Sequence, residues 1–374
     1  MTLPTLTWVK HEESYEANPA YNDSYWRTAN LKRICNPQQG PGFFQRIVLD
    51  ANAYGYHEGD VWYRAHYTAA TDDPDIWIKA FGAQGSNFLV WMNGTYVGAS
   101  AGISGGRADQ DSLQLGVGAP GAHGKDSPNK ATFHVPPGTV KAGEPVVLSI
   151  LLRNNGQRED WESKGTSLHG MGVLDARLGS RGPVIWKIQG AARRLHPVDT
   201  VRGMYNNGGL YGERAGWYLP GFPSSNWEPA TTMHARRAGV TWYRTSFALH
   251  TPTNQDVMLH LAVASPYYRH NRSDKSRTVM FMNGWNIGTW VGNVGPQTSF
   301  TIPAGFLNRD GDNEIAVAVT AEGPGYGPDD MQLQLVGNWL GSVLWEENAA
   351  PGYRDVQRHL LPPYPRVPEV TVQR

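Results

Sequence analysis

Gly59-Asp60-Val61-Trp62-Tyr63-Arg64-Ala65-His66-Tyr67 and Gly239-Val240-Thr241-Trp242-Tyr243-Arg244-Thr245-Ser246-Phe247 are two versions of one strand. Each carries Trp-Tyr-Arg three residues after a glycine. Trp62, Arg64 and His66 fall on one face and Val61, Tyr63 and Tyr67 on the other, the period of two that a half-buried β-strand requires.

Sliding the chain against itself extends the match in both directions. Upstream, Ser24-Tyr25-Trp26-Arg27-Thr28-Ala29 pairs with Ser225-Asn226-Trp227-Glu228-Pro229-Ala230. Downstream, Phe88 to Gly98 pairs with Thr278 to Gly288, and Ala131-Thr132-Phe133-His134-Val135-Pro136 with Ser299-Phe300-Thr301-Ile302-Pro303. Apolar strands follow in both copies, at Val146–Leu152 and Glu314–Val319. Asn93-Gly94 and Asn283-Gly284 each join two β-rich runs, and Asn-Gly supplies the positive φ angles of a type I′ hairpin turn. Four landmarks recurring in one order mean a duplicated unit.

The copies differ in their loops. Trp62 to Asn93 spans 31 residues and Trp242 to Asn283 spans 41, the excess lying around Pro266–Arg277. Asn93 to Phe133 spans 40 and Asn283 to Phe300 only 17, so Ala99–Asn129 is a Gly-rich insertion in the first copy. Insertions of this kind belong on loops at the ends of a sandwich, where closure entropy grows slowly with length.

A length of 374 residues allows two or three domains. Fourteen Trp, 17 Tyr, 43 Gly and 26 Pro, with no helical period of useful length, point to many short strands and turns. The expected fold is all-β: two tandem galactose-binding-like jelly-roll β-sandwiches. Residues 1–190 form the first, 191–223 a connector, 224–348 the second, and 349–374, with five prolines, an extended tail. A net charge of +0 gives no footprint for nucleic acid, and no apolar run reaches the length of a membrane helix. Cys35 is the only cysteine, so the cores stand on burial without an internal disulfide. Met1-Thr2-Leu3-Pro4 has neither the basic nor the apolar region of a signal peptide.

Val201-Arg202-Gly203, Gly208-Gly209-Leu210-Tyr211-Gly212-Glu213-Arg214, Pro223-Ser224-Ser225-Asn226-Trp227 and Asn293-Val294-Gly295-Pro296-Gln297-Thr298-Ser299-Phe300 resemble the C-terminal jelly-roll domains of family 35 β-galactosidases of the fungal type. The resemblance runs over roughly residues 8–345. It implies non-catalytic accessory domains packing on a (β/α)₈ barrel, in cis or as a separate subunit, and a galactoside or plant-type glycan as the ligand of the whole. The barrel carries the two catalytic glutamates in that family, so no catalytic residue is expected in this stretch. The family's extracellular setting is implied with it. The alternatives are a free-standing carbohydrate-binding module and an independent glycoside hydrolase.

Candidate residues follow from these readings. Sugar faces stack on aromatic rings while amides and guanidinium groups bind hydroxyls, which singles out Tyr267, Tyr268 and Arg269 in the second copy's insertion and Trp285 beside its hairpin. Asn206, Glu213 and Arg214 are the candidate surface for docking on the barrel, with Glu213 and Arg214 able to pair across a seam. Retaining hydrolysis needs two carboxyls about 5–5.5 Å apart; Asp109, Asp111, Glu159, Asp160, Glu162 and Glu213 supply acids but read better as solvated loops or ion pairs. His57 and His66 lie an odd number of residues apart and do not converge within one strand, so no metal site is read from them. Arg309–Glu314 has a calcium-like composition without EF-hand spacing. A structural calcium is implied only by analogy with jelly rolls of the galactose-binding type; no other cofactor is expected. Asn22, Asn93 and Asn271 head N-glycosylation triplets, Asn271 being the best placed.

Overall fold

The computed structural model describes residues 3–13, 15–32, 47–82, 86–100, 129–154, 171–191, 199, 201–203, 206, 208–252, 254–264, 274–292, 297–340 and 352–357. They form two sandwiches, each a six-stranded antiparallel sheet facing a three-stranded one. In the first, the large sheet runs β2 (Arg27–Thr28), β10 (Ser180–Gln189), β3 (Gly59–Ala69), β8 (Pro145–Asn154), β5 (Phe88–Met92), β6 (Thr95–Ala99). Its small sheet is β7 (Asn129–Phe133), β4 (Ile76–Phe81), β9 (Gly172–Arg177). In the second, the large sheet runs β11 (Glu228–Ala230), β1 (Trp8–Glu13), β12 (Gly239–His250), β17 (Asp310–Ala321), β14 (Ser276–Met282), β15 (Trp285–Val291). Its small sheet is β16 (Ser299–Ile302), β13 (Gln255–Ala264), β18 (Asp330–Leu340).

The duplication holds strand for strand, including the hairpins. Asn93 and Gly94 sit at φ 49° and 83°, and Asn283 and Gly284 at 46° and 82°, the two positive values that a type I′ turn demands. Each hairpin asparagine then anchors the neighbouring strand: Asn93 Oδ1 accepts from Val147 N at 2.8 Å and Asn283 Oδ1 from Glu314 N at 2.8 Å.

Three apolar cores fill the spaces between four sheets. Val61, Tyr63 and Ala65 of β3 meet Ile76, Ile78 and Ala80 of β4 inside the first sandwich. Tyr243 and Phe247 of β12 meet Leu259, Leu261 and Val263 of β13 inside the second. The third core lies between the sandwiches, where Trp62, Leu89, Trp91 and Leu151 meet Val240, Trp242, Phe281 and Ala318. This corrects the expected half-buried strands. Val61 to Ala65 and Val240 to Thr245 are buried on both faces, because the outward face of each large sheet is covered by the other large sheet.

The N-terminal strand differs from the expected division. β1 lies in the 1–190 stretch assigned to the first sandwich, yet it pairs in the second sandwich's sheet, Val9 standing between Pro229 of β11 and Arg244 of β12. In the first sheet that place, between β2 and β3, belongs to β10. Thus β1 pairs in the second sheet and leads across into β2 of the first, while β10 pairs in the first and leads across into β11 of the second. The chain crosses the seam twice, and the first sandwich, residues 27–189, is inserted between β1 and the rest of the second. The tail also differs. Tyr353–Gln357 is a short helix, docked by Tyr353 N donating to Pro220 O at 2.8 Å and by its ring packing edge-on against Phe222 at 4.9 Å.

Proline at position 9 removes an amide from the interior of a six-stranded sheet and costs about 3 kcal/mol or more. Val9→Pro is therefore expected to lower the denaturant midpoint of the second sandwich, followed by tryptophan fluorescence. A strand that merely lay against the surface would leave it unchanged.

Candidate functional site

Among the described residues, the seam between the large sheets holds most of the buried charge. It is built around the arginine of each Trp-Tyr-Arg motif. At period two, Arg64 and Arg244 point to the same side as Trp62 and Trp242, into the seam, where each meets a crossing segment. Arg64 is fully buried and has an oxygen for every N–H of its guanidinium: the Asp23 carboxylate at 2.6 Å and the carbonyls of Glu16, Asn18 (2.9 Å), Pro19 (3.2 Å) and Tyr21 (3.4 Å). Arg244 holds the second crossing less completely, donating through its two Nη atoms to the Trp217 and Leu219 carbonyls and to Glu314 while its buried Nε has no partner. Leaving the donors of a buried cation unpaired is costly, so each arginine fixes the path of the segment whose carbonyls it holds.

The acids of the seam are equally committed. Glu13, at the end of β1, accepts from Tyr211 N (2.8 Å), Gly212 N (2.9 Å) and Trp242 Nε1 (2.6 Å). Burial and then the charge of Glu16 push it up to about 8 against those donors. Glu16 pairs with Arg214, whose guanidinium also donates to the Gly209 carbonyl. Asp60 pairs with Arg153 at 2.7 Å, and Arg153 reaches Thr289 of the other sandwich at 3.3 Å. Glu322 binds Asn87 of the first sandwich at 2.5 Å and Arg277 of its own at 3.4 Å. These acids are occupied by amides and guanidinium groups and act as ties.

The proposed docking residues lie inside this seam. Asn206 and Glu213 are 5% and 3% exposed, and the Arg214 side chain is 11% exposed. Glu213 and Arg214 do not pair: Glu213 accepts from Leu210 N at 3.0 Å in its own helical turn, while Arg214 reaches Glu16. The cause is that Tyr211–Arg214 is one turn of helix whose adjacent side chains diverge. Asn206 binds the second hairpin, donating to Gly284 O (2.8 Å) and accepting from Asn286 N (2.9 Å). The connector is thus glue between the sandwiches.

Trp285 is half-buried; its ring stacks on Phe306 at 4.7 Å, nearly parallel, and the Arg202 guanidinium carbon lies 5.8 Å from its centroid. Tyr267, Tyr268 and Arg269 lie outside the described residues, as do Asp109, Asp111, Glu159, Asp160, Glu162 and Asn271. His66 binds Asp23 at 2.7 Å, and His57 stands within 3.5 Å of Asn52. In Arg309–Glu314, Asp310 pairs with His250 at 2.7 Å and Asn313 ties Asn283 to Asn308. Among the described residues no group of three or more His, Cys, Asp or Glu could hold a metal.

An open space adjoins the seam. A cleft of about 770 Å³ is lined by Ala17, Asn18 and Pro19, by Trp62 and Trp91, by the Asn93–Tyr96 hairpin, and by Arg236–Val240 of the second sandwich. The sequence reading missed it, and missed Arg64, Arg244, Glu13 and Glu16. The signal was present: arginine in an apolar strand, directly after Trp-Tyr, in both copies.

Comparison with known proteins places this architecture. The family described as Beta-galactosidase second all-beta domain matches residues 21–158 and 211–325, a stretch in each copy of the repeat and together well over half of the chain. Beta-galactosidase A of Aspergillus niger is 31% identical over 330 residues, covering 86% of this chain and 29% of that protein. Beta-galactosidase A of a Penicillium species is 29% identical over 332 residues, covering 86% and 30%. A probable beta-galactosidase A of Emericella nidulans is 31% identical over 345 residues, covering 88% and 31%. The chain spans about three tenths of the length of the curated relatives it matches.

Two predictions follow from the seam's charges. Lysine has three donors in place of five and no planar fork, so Arg64→Lys leaves crossing carbonyls unmet and is expected to cost about 2–3 kcal/mol in chemical denaturation. Burial, with the charge of Asp60 added, pushes Glu213 from the ordinary 4.5 up to about 8. Between those values the folded chain holds a proton that the unfolded chain has released, so stability falls as pH rises through that window. The thermal midpoint is expected to be higher at about pH 5 than at about pH 8, and Glu213→Gln to remove part of the difference.

Proposed function

This chain belongs to the beta-galactosidase second all-beta domain family, and from that premise we propose that it is a non-catalytic scaffold that docks on the (β/α)₈ barrel of a family 35 β-galactosidase. The barrel, in cis or as a separate subunit, then supplies the chemistry on the galactoside, and this chain supplies a rigid wall.

The observation that carries the reading is an apolar ribbon at one end of the second sandwich. Seven large hydrophobic side chains stand exposed among the described residues, and five of them are together: Met258 on β13 and Leu335, Val336, Trp339 and Leu340 on β18, Leu340 being 82% exposed. β18 is the edge of its sheet, and from Leu335 onward residues on both its faces are exposed, so the ribbon projects past the core that covers Met331 and Leu333. An exposed edge with apolar side chains on both faces invites a partner surface. Asn206, Glu213 and Arg214 are already bonded within the chain. The resemblance of nearly the whole chain to about three tenths of much longer β-galactosidases supports the barrel as that partner.

Mixed with the separately produced barrel of a fungal-type β-galactosidase, the chain is expected to form a complex in sedimentation. Trp339→Asp with Leu340→Asp should weaken that complex by about tenfold or more while leaving the chain folded. Absence of any complex, or a complex indifferent to both changes, removes the reading.

A further inference from the structure

The two small sheets are copies of one another, and they differ in what their outer faces show to water. Ile76 pairs with Phe133 in the first and Leu261 with Phe300 in the second. In that register Trp77 corresponds to Ala262 and Asp75 to His260. Across the same row Arg177, the partner of Trp77 on β9, corresponds to Gln332, the partner of Ala262 on β18.

The first face is that of a surface in water. The Arg177 guanidinium carbon lies 5.0 Å from the centroid of the Trp77 ring, and Asp75 bonds the His134 ring at 3.0 Å with both side chains exposed. One row further along, Lys79 stands between Lys130 and Asp175. The second face has none of this. Its central rows are Thr301–His260–Gln334 and Ser299–Ala262–Gln332, and its three strands contain no lysine or arginine. Their only acids sit at the two ends, Asp256 opposite Trp339 and Asp330 opposite Ala264. At the centre, alanine stands in place of the tryptophan. The His260 ring is tied down on the face, bonding Ser299 Oγ at 2.7 Å and Thr301 Oγ1 at 3.1 Å. The row beyond His260 is Met258 opposite Gly337, where the apolar ribbon begins. Uncharged floor and ribbon are one continuous surface.

We propose that this face seats one outer helix of the (β/α)₈ barrel, so that the barrel meets a sheet face as well as the projecting edge. The inference rests on the docking reading above and names the surface that completes it. The centre of a protein interface is depleted of charge, because a buried, unpaired charge is costly. The dimensions also fit. Three strands about 4.8 Å apart make a floor about 10 Å across, and a helix with its side chains is about 10–12 Å wide. A (β/α)₈ barrel carries such helices around its outside. Ala262 keeps the middle of the floor low where its twin raises a tryptophan, and the amides of Gln332 and Gln334 stand beside it to bond polar side chains of the helix. The chain covers 29% and 30% of two of its relatives, and the rest of such a polypeptide has room for a barrel of about 250 residues.

The test titrates the intact chain with the separately produced barrel of a fungal-type β-galactosidase, and reads the dissociation constant by sedimentation. Ala262→Arg puts a charge at the centre of the face and is expected to weaken the complex at least tenfold. Thr301→Arg, at an exposed position, keeps the test decisive should the first variant misfold, and is expected to weaken the complex about threefold or more. Thr132→Arg, exposed on the small sheet of the first sandwich, is expected to change nothing. A complex weakened by Trp339→Asp with Leu340→Asp, yet indifferent to folded Ala262→Arg and Thr301→Arg, leaves the barrel held by the ribbon alone and overturns the seat on the face. Self-association of the chain that Ala262→Arg abolishes gives the face to a second copy and overturns it too. With no complex at all, docking and seat fall together.

Discussion

Two six-stranded sheets press their outer faces together, and nearly everything else in this chain is a consequence of that contact. Packing sheet on sheet buries Trp62, Trp91, Trp242 and Phe281, each aromatic removing roughly 150–250 Å² from water. The contact also buries whatever else lies on those faces, including Arg64 and Arg244. A guanidinium in such a place must find oxygens, and the oxygens come from the backbone of the two segments that cross between the sheets. The apolar packing and the arginine clamps are therefore one arrangement. The sheets cannot separate without uncovering the aromatics, and the crossings cannot move without stranding the arginines.

The insertion of one sandwich into the other has the same logic. Since β1 completes the second sheet before the chain enters the first sandwich, the second sandwich takes a strand from the far side of the first, whose own large sheet is built wholly from residues 27–189. Units joined by a linker would hinge, whereas these have Asn87 and Arg153 of the first sandwich reaching Glu322 and Thr289 of the second. A rigid block suits a scaffold. Its ties face inward, and among the described residues five of the seven exposed large hydrophobic side chains lie on the projecting ribbon of β13 and β18.

Duplication left the two crossings alike in backbone and unlike in filling. The second is reached through a long connector, and that extra chain supplies Arg202 and Asn206 as well as Gly209. The first is reached through a short segment with alanine where its twin has tyrosine. Loop length and the side chains a loop carries decide how the same backbone geometry is filled: Tyr218 lies on Phe281 in the second copy, and Trp62 and Tyr96 lie against Trp91 in the first. This is how a repeated fold acquires asymmetry at little cost, since the strands and their arginine clamps stay constant while the loops vary.

The sequence alone determined the all-β fold, the duplication and the two type I′ hairpins, because these are written in local patterns: period two in the strands, Asn-Gly in the turns, and the same landmarks in the same order. It also carried the family, through runs such as Gly208–Arg214. Long-range pairing is a different matter. Which sheet receives β1 depends on edges that only the assembled sandwiches present, since alternation specifies a strand's faces and not its neighbours. The strands around Trp62 and Trp242 read as half-buried because aromatic and charged residues alternate, and tertiary packing buried both faces. The same holds for Glu213 and Arg214, neighbours in sequence whose partners, Leu210 N and Glu16, were decided by helical geometry and by a crossing almost two hundred residues away. Burial and partnership are properties of what lies opposite, and only the tertiary structure decided what lies opposite.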